Sequence, residues 1–144
     1  MAGIVTQVLV DLEPAGISTG GKAKLLTFSW TADASDGTVP NTVTNDVITA
    51  AIRGMNVTQI TTNPGTTAPT AGYDIAINDE DGIDIAGGVL ANRSATVSER
   101  VVPKADEANS IFGPVLVNGT LTLAISGNVV NSAVGVVKVF LERS

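Results

Sequence analysis

Along this chain apolar and polar positions alternate in short β-branched runs, and Gly, Asn, Asp and Pro interrupt them every few residues. Such a period of two fits strands, and helical periodicity is scarce. The run from Ile4 to Leu12 puts Ile4, Val8, Val10 and Leu12 on one face and Val5, Gln7, Leu9 and Asp11 on the other, with Pro14 and Gly16 ending it. From Lys22 to Thr31 the alternation sets Lys24, Leu26, Phe28 and Trp30 against Ala23, Leu25, Thr27 and Ser29. Phe28 and Trp30 are the strongest apolar anchor of the sequence, and packing between two sheets is the expected use of such aromatics.

Residues Ala32 to Asn45 are rich in Asp, Ser, Gly, Thr and Pro and read as a loop, extended enough to form an exposed arm. Asn45 to Arg53 supports two readings, a short helix capped by Asn45 and stopped by Gly54, or a strand built on Val47, Ile48, Thr49 and Ile52. Met55 to Thr62 reads as a strand ended by Asn63-Pro64-Gly65. Tyr73 to Asn78, the turn Asp79-Glu80-Asp81-Gly82 and Ile83 to Ala86 predict a β-hairpin closed at an Asp-Gly step. Val89 to Ser94 can form a helical turn, Ala95 to Val102 extends, and Pro103 to Gly113 is polar enough for a second long loop. Val115 to Ser126 and Ala133 to Leu141 are strongly β-branched and are expected to pair with each other. The Val-rich last run predicts cover on both faces, by core on one and by a neighbouring subunit on the other. The fold class that follows is all-β, an antiparallel β-sandwich or a jelly-roll or Ig-like barrel with long loops and at most one or two short helices. One domain over residues 1–144 suffices, since no linker or internal repeat divides the chain.

Composition matters mainly for what it removes. Cysteine and histidine are both absent, which takes away disulfides, thiolate metal sites and the commonest general base. A Ser or Thr nucleophile activated by Lys, or a carboxylate pair, remains chemically open, yet no catalytic residue, cofactor-binding residue or metal ligand stands out, and no enzyme activity is expected. The net charge of −6, from 14 acidic and 8 basic residues with no basic cluster, argues against nucleic acid as a partner. No apolar run approaches membrane-spanning length, and Met1 to Gln7 lacks the features of a secretory signal, so the expected place of synthesis is a cytoplasm without a membrane partner. The sequons at Asn56, Asn92 and Asn118 then carry no glycan.

The remaining candidates have plain structural readings. Asn78-Asp79-Glu80-Asp81-Gly82-Ile83-Asp84 invites calcium, but the twelfth position counted from Asn78 is Val89 and not the glutamate an EF-hand loop needs. A solvated hairpin tip accounts for it. Asp33 with Asp36 and Asp106 with Glu107 are loop pairs without a complementary acid or nucleophile, and Gly20-Gly21-Lys22 and Gly87-Gly88 lack phosphate-loop spacing. Few charges guard the strands, with Lys138 alone on the last one, and an unguarded edge calls for a covering partner chain.

Several segments together carry a resemblance. Leu25-Leu26-Thr27-Phe28-Ser29-Trp30-Thr31-Ala32-Asp33, the run Asn63 to Thr70, Tyr73 to Gly82, Gly87 to Ser94 and Gly119 to Ile125 are similar to a family of small tailed-bacteriophage virion proteins. The resemblance spans most of the chain, Thr42 to Met55 fits it least, and its motifs are turns and strands without attached functional residues. It implies a virion structural protein, above all a capsid decoration or cement protein on the outer capsid surface, made in the bacterial host cytoplasm. Such a protein would be a homo-oligomer, a trimer more than a dimer, bound to the major capsid protein through the N-terminal segment and the loops at 32–45 and 103–113. A tail, neck or baseplate component of the same particle is the alternative, and a carbohydrate-binding fibre or adhesin module is a further one, which would need Tyr73 or Trp30 exposed.

Overall fold

The fold follows from which face of each strand is buried. In a computed structural model that describes residues 2–12 and 22–143, the longest strands are β1 (Ile4–Asp11), β2 (Ala23–Thr31), β4 (Asn56–Pro64) and β11 (Val134–Glu142). Shorter ones are β3 (Thr42–Val43), β5 (Asp74–Asn78), β6 (Glu99–Val101), β7 (Lys104–Asp106), β8 (Ile111–Phe112), β9 (Val115–Leu116) and β10 (Thr122–Ser126). The large sheet has the order β1-β2-β11-β4-β6, with β9 also on β4. A smaller sheet is ordered β3-β10-β5, and β7 and β8 form a separate hairpin. All pairings are antiparallel.

The two sheets face each other across one core, as an all-β sandwich. The large sheet supplies Leu26, Phe28 and Trp30 from β2, Val57 and Ile60 from β4, and Val137, Val139 and Leu141 from β11. The small sheet supplies Ile75, Ile77, Leu123 and Ile125. The Trp30 and Tyr73 rings meet across the core with centroids 5.8 Å apart and planes at 56°, an edge-tilted arrangement that aromatic quadrupoles favour. On β4 a bulge opposite Phe140 and Leu141 inserts Thr58, whose hydroxyl donates to the Phe140 carbonyl. The extra residue shifts the pleat by one, so Val57 and Ile60 both point inward.

Between β3 and β4 the chain forms the helix α1 (Asp46–Ile52), which resolves the double reading of that segment. The Asn45 side chain accepts a hydrogen bond from the Ile48 N–H at 2.9 Å and Asp46 lies in the first turn, both favourable at a helix start. Ile48 and Ile52 enter the core, and Gly54, at φ +85°, turns the chain away.

Several expectations are corrected. Val115 to Ser126 is two strands, β9 and β10, and β10 does not pair with β11. The former lies between β3 and β5 in the small sheet, and the latter lies between β2 and β4 in the large one. The reversal between them crosses from one sheet to the other, held by the buried Asn128. Its side chain accepts from the Thr70 N–H at 2.9 Å and donates to the Gly37 carbonyl at 2.8 Å. β11 is therefore no edge strand. Its inner face is core and its outer face, Val134, Val136, Lys138 and Phe140, is half-buried in the middle of the sheet. The hairpin expected over 73–86 has β5 as its first limb, but the second is reduced to the bridge between Asn78 and Asp84 and the bond from the Ile85 N–H to the Ile77 carbonyl. Val89 to Ser94 forms turns and the Arg93 bridge and no helix, and 95–102 extends only over β6. Ala32 to Asn45 is not a free arm, since Ala32, Val39 and Thr44 are buried within it. Pro103 to Gly113 contains the β7–β8 hairpin. Pro14, Gly16 and Gly20-Gly21 lie outside the described residues.

Candidate functional site

The carboxylates that invited a metal reading hold backbone instead. Asp79 accepts from the N–H groups of Asp81 and Ile83, and Asp84 accepts from those of Ile77, Ala86 and Gly88. Short acidic side chains serve turns in this way because they replace missing backbone acceptors. Among the described residues no group of three or more Asp or Glu is placed to hold a metal ion. Asp33 and Asp36 lie in one tight turn. Asp33 accepts from the Ser35 N–H, and Asp36 accepts from the Thr38 N–H and hydroxyl, which holds the Asp36 carboxyl below the usual carboxylate range. Asp106 is lowered likewise by the Asn109 side chain and N–H.

Glu80 reaches across to the loop before β10, accepting from the Thr120 N–H at 3.1 Å, and a Cβ on Gly119 would meet that carboxylate at 2.3 Å. Gly87 takes φ +67° where the Lys104 carbonyl comes within 2.3 Å of where a Cβ would stand, so only glycine fits there. Asp79, Asp84, Lys104, Asp106 and Glu107 line a cleft of about 450 Å³ between the 79–85 turn and the β7–β8 hairpin. Its acids on the turn side are the ones already engaged with peptide groups.

Trp30 and Tyr73, the aromatics that a sugar-stacking site would have to present, are 2% and 1% exposed. Burial raises the Tyr73 hydroxyl above its ordinary value, opposed by the nearby Arg93 and reinforced by Glu99. Arg93, itself buried, donates to the Val89 and Ala91 carbonyls and lies 3.7 Å from Glu99, pinning the 89–99 segment beside β5.

Besides scattered exposed apolar residues such as Val47 and Val129, two regions carry several each. One is β1. Register with β2 turns Ile4, Val8 and Val10 to the outer face, where with Leu12 they are exposed, while Val5, Gln7 and Leu9 face inward. The inner Gln7 ties this edge to the small sheet, donating to the Val43 carbonyl and accepting from the Asn45 N–H. The other place is at the β4 side, where Val102, Ile111 and Phe112 of the hairpin region and Leu116 of β9 are all exposed. The Lys104 ammonium lies 5.6 Å from the Phe112 ring centroid, close enough for a cation–π contact that keeps the ring on the hairpin surface. Clusters of large apolar side chains left in water mark interaction sites more often than scattered ones do. The alternation of β1 was visible in the sequence. The place of Leu116 was not, because it depends on β9 docking beside β4.

Compared with protein-family models, with curated proteins and with solved structures, the chain gave no match. No helix among the described residues is long and apolar enough to cross a membrane.

Proposed function

We propose that this protein is a non-enzymatic virion structural component of a tailed bacteriophage, acting as a capsid decoration protein. In this reading it is made in the host cytoplasm, self-associates as a trimer or dimer, and binds the major capsid subunits on the outer surface of the shell. The observation that carries the reading is that exposed apolar side chains lie both on β1, at one edge of the large sheet, and on β9 beside β4 and the separate β7–β8 hairpin. A single copy can touch two neighbours at once, the geometry a bridging element needs, and the segment resemblance described above agrees with it.

The mechanism is mass action. A protein that binds only the assembled shell stabilises that shell, by about 2.7 kcal/mol per site at a concentration one hundred times the Kd. Modest contacts add up when one oligomer engages several capsid subunits. Purified protein added to shells that lack it is expected to co-sediment with them to a fixed ratio and to raise their disruption temperature. Binding to purified tails and not to shells would instead place it in the tail, neck or baseplate. The burial of Trp30 and Tyr73 speaks against a glycan-stacking role.

A further inference from the structure

We propose that β1 is a self-association seam, at which two copies pair their β1 strands antiparallel across a two-fold axis and continue the large sheet from one molecule into the next. This specifies the self-association in the reading above and rests on it only for its biological purpose.

The Leu12 N–H donates to the Ala23 carbonyl at 2.9 Å. Bonded pairs recur every second residue in an antiparallel ladder, so Leu12, Val10, Val8, Thr6 and Ile4 turn their peptide groups toward β2. Val5, Gln7 and Leu9 turn theirs away, and no strand among the described residues pairs with that side. An open row of peptide groups accepts one kind of occupant, another extended strand.

The other sheet margins are closed or blunted. The outer side of β5 is covered by the 83–93 segment through the Ile75 N–H to the Leu90 carbonyl, the Ile85 N–H to the Ile77 carbonyl, and the Tyr73–Arg93 bridge. β3 is two residues long and follows Pro40. β6 is three residues long, carries Glu99 and Arg100, and leads into Pro103. Short length, charge and proline are the devices that keep edges apart. β1 has eight residues, no proline, no bulge and no basic residue.

Charge and shape select a second copy as the occupant. Asp11 is the one charged residue of β1, and its carboxylate is already held by the Lys24 ammonium. With Val8 opposite Val8 of the second copy, the outer face pairs Thr6 with Val10 and Ile4 with Leu12, and the inner face pairs Gln7 with Leu9 and Val5 with Asp11. Every outward peptide group then finds a mate, and the two Asp11 residues sit at opposite ends of the seam. A chain of net charge −6 can therefore meet itself here without opposing like charges. An eight-residue strand is about 27 Å long and the two sheets are about 10 Å apart. The contact is thus on the order of a few hundred Å² per copy, below the roughly 800 Å² of a standard interface. The dimer is accordingly weak in free solution and is reinforced where both copies are held on a shell.

The absence of cysteine makes the test clean. In the full chain Val8→Cys would bring two thiols to a non-hydrogen-bonded antiparallel pair, with Cα atoms about 4.5 Å apart, inside the range a disulfide spans. Mild oxidation at high protein concentration is expected to give a covalent dimer from Val8→Cys and none from Thr61→Cys, which lies mid-sheet on the same outer face. Val8→Lys, at an exposed side chain that leaves the β1–β2 ladder intact, is expected to weaken dimerisation at least tenfold in sedimentation equilibrium while Trp30 fluorescence stays native. The proposal is overturned if the native chain remains monomeric at every concentration. It is overturned too if the native chain is a trimer indifferent to Val8→Lys, or if Thr61→Cys cross-links while Thr6→Cys, Val8→Cys and Val10→Cys do not. Shell binding separates the two ideas. A dimer that forms but never binds shells retains the seam and removes the decoration role, and shell binding by a strictly monomeric chain does the reverse.

Discussion

Gly135 of β11 lies directly against the Trp30 indole of β2: a Cβ at position 135 would stand 2.6 Å from Cζ2 and 2.7 Å from Cε2. The two residues are register partners, so the ring folds over the glycine and fills the space a side chain would take. Gly135→Ala must displace a ring that is itself in the core, and overpacking of this kind costs about 1–3 kcal/mol. Denaturant unfolding followed by far-UV circular dichroism measures it. A Gly135→Ala, Trp30→Phe double mutant is expected to lose less than the sum of the single changes, because the smaller ring relieves the clash.

Asn128 is the polar residue on which the loop end of the sandwich converges. Its amide meets Thr70, Gly37 and Val130, joining three loops that are distant in sequence. Asn128→Ala leaves buried partners unpaired at about 1–3 kcal/mol each, so a loss of at least ~2 kcal/mol is expected. Asn128→Asp is not expected to rescue it, since a carboxylate cannot donate to the Gly37 and Val130 carbonyls. Thermal unfolding of both variants checks the prediction.

The pH dependence has a definite sign at each extreme. Tyr73 is raised by burial. The unfolded chain therefore releases this proton first, so its contribution is complete below about pH 10 and is lost as the pH rises through the higher folded value. Tyrosinate absorbance in the native chain should lag the unfolded one, and the single Tyr of the chain makes the signal unambiguous. Asp36 and Asp106 are lowered by hydrogen bonds from Thr38 and Asn109. Their contributions are present above about pH 4 and disappear as the pH falls through the lowered values. Asp36 is exposed and Asp106 half-buried at the surface, so a small acid-side change is expected, which Asp36→Asn should diminish.

The β7–β8 hairpin should matter for assembly and little for folding. Phe112 is 57% exposed and its ring touches Lys104 at the surface. Phe112→Ser is expected to change stability by no more than about 0.5 kcal/mol, as surface substitutions do, and to lower shell binding at least tenfold in a sedimentation assay.

Strand faces were largely legible in the sequence, and strand neighbours were not. Alternation over Leu26, Phe28 and Trp30 assigned the buried face of β2, because side-chain direction has a period of two whatever the pairing. The helix at 46–52 needed the Asn45 cap to be decided against a strand. The expected pairing of Val115–Ser126 with the last run failed because alternation carries no record of which sheet a strand joins. The loop that carries the chain from one sheet to the other is tied by Asn128 to Gly37 and Thr70, 91 and 58 residues away. β1 also shows its more apolar face to water, inverting the usual inference, since Val5, Gln7 and Leu9 are the residues that meet the core and β3. The β7–β8 hairpin, which exposes Phe112 beside Lys104, was hidden within a stretch read as a polar loop.

The central place of β11 has a consequence for how the molecule is built during synthesis. β2 and β4 each need β11 as a lateral neighbour, yet β11 is translated after every other strand. Until residues 134–142 leave the ribosome the large sheet is split into β1–β2 on one side and β4 with its companions on the other, each exposing an apolar margin. The domain can close only late, in one step that joins distant pieces, which makes for slow folding and a nascent chain that gains from chaperone cover.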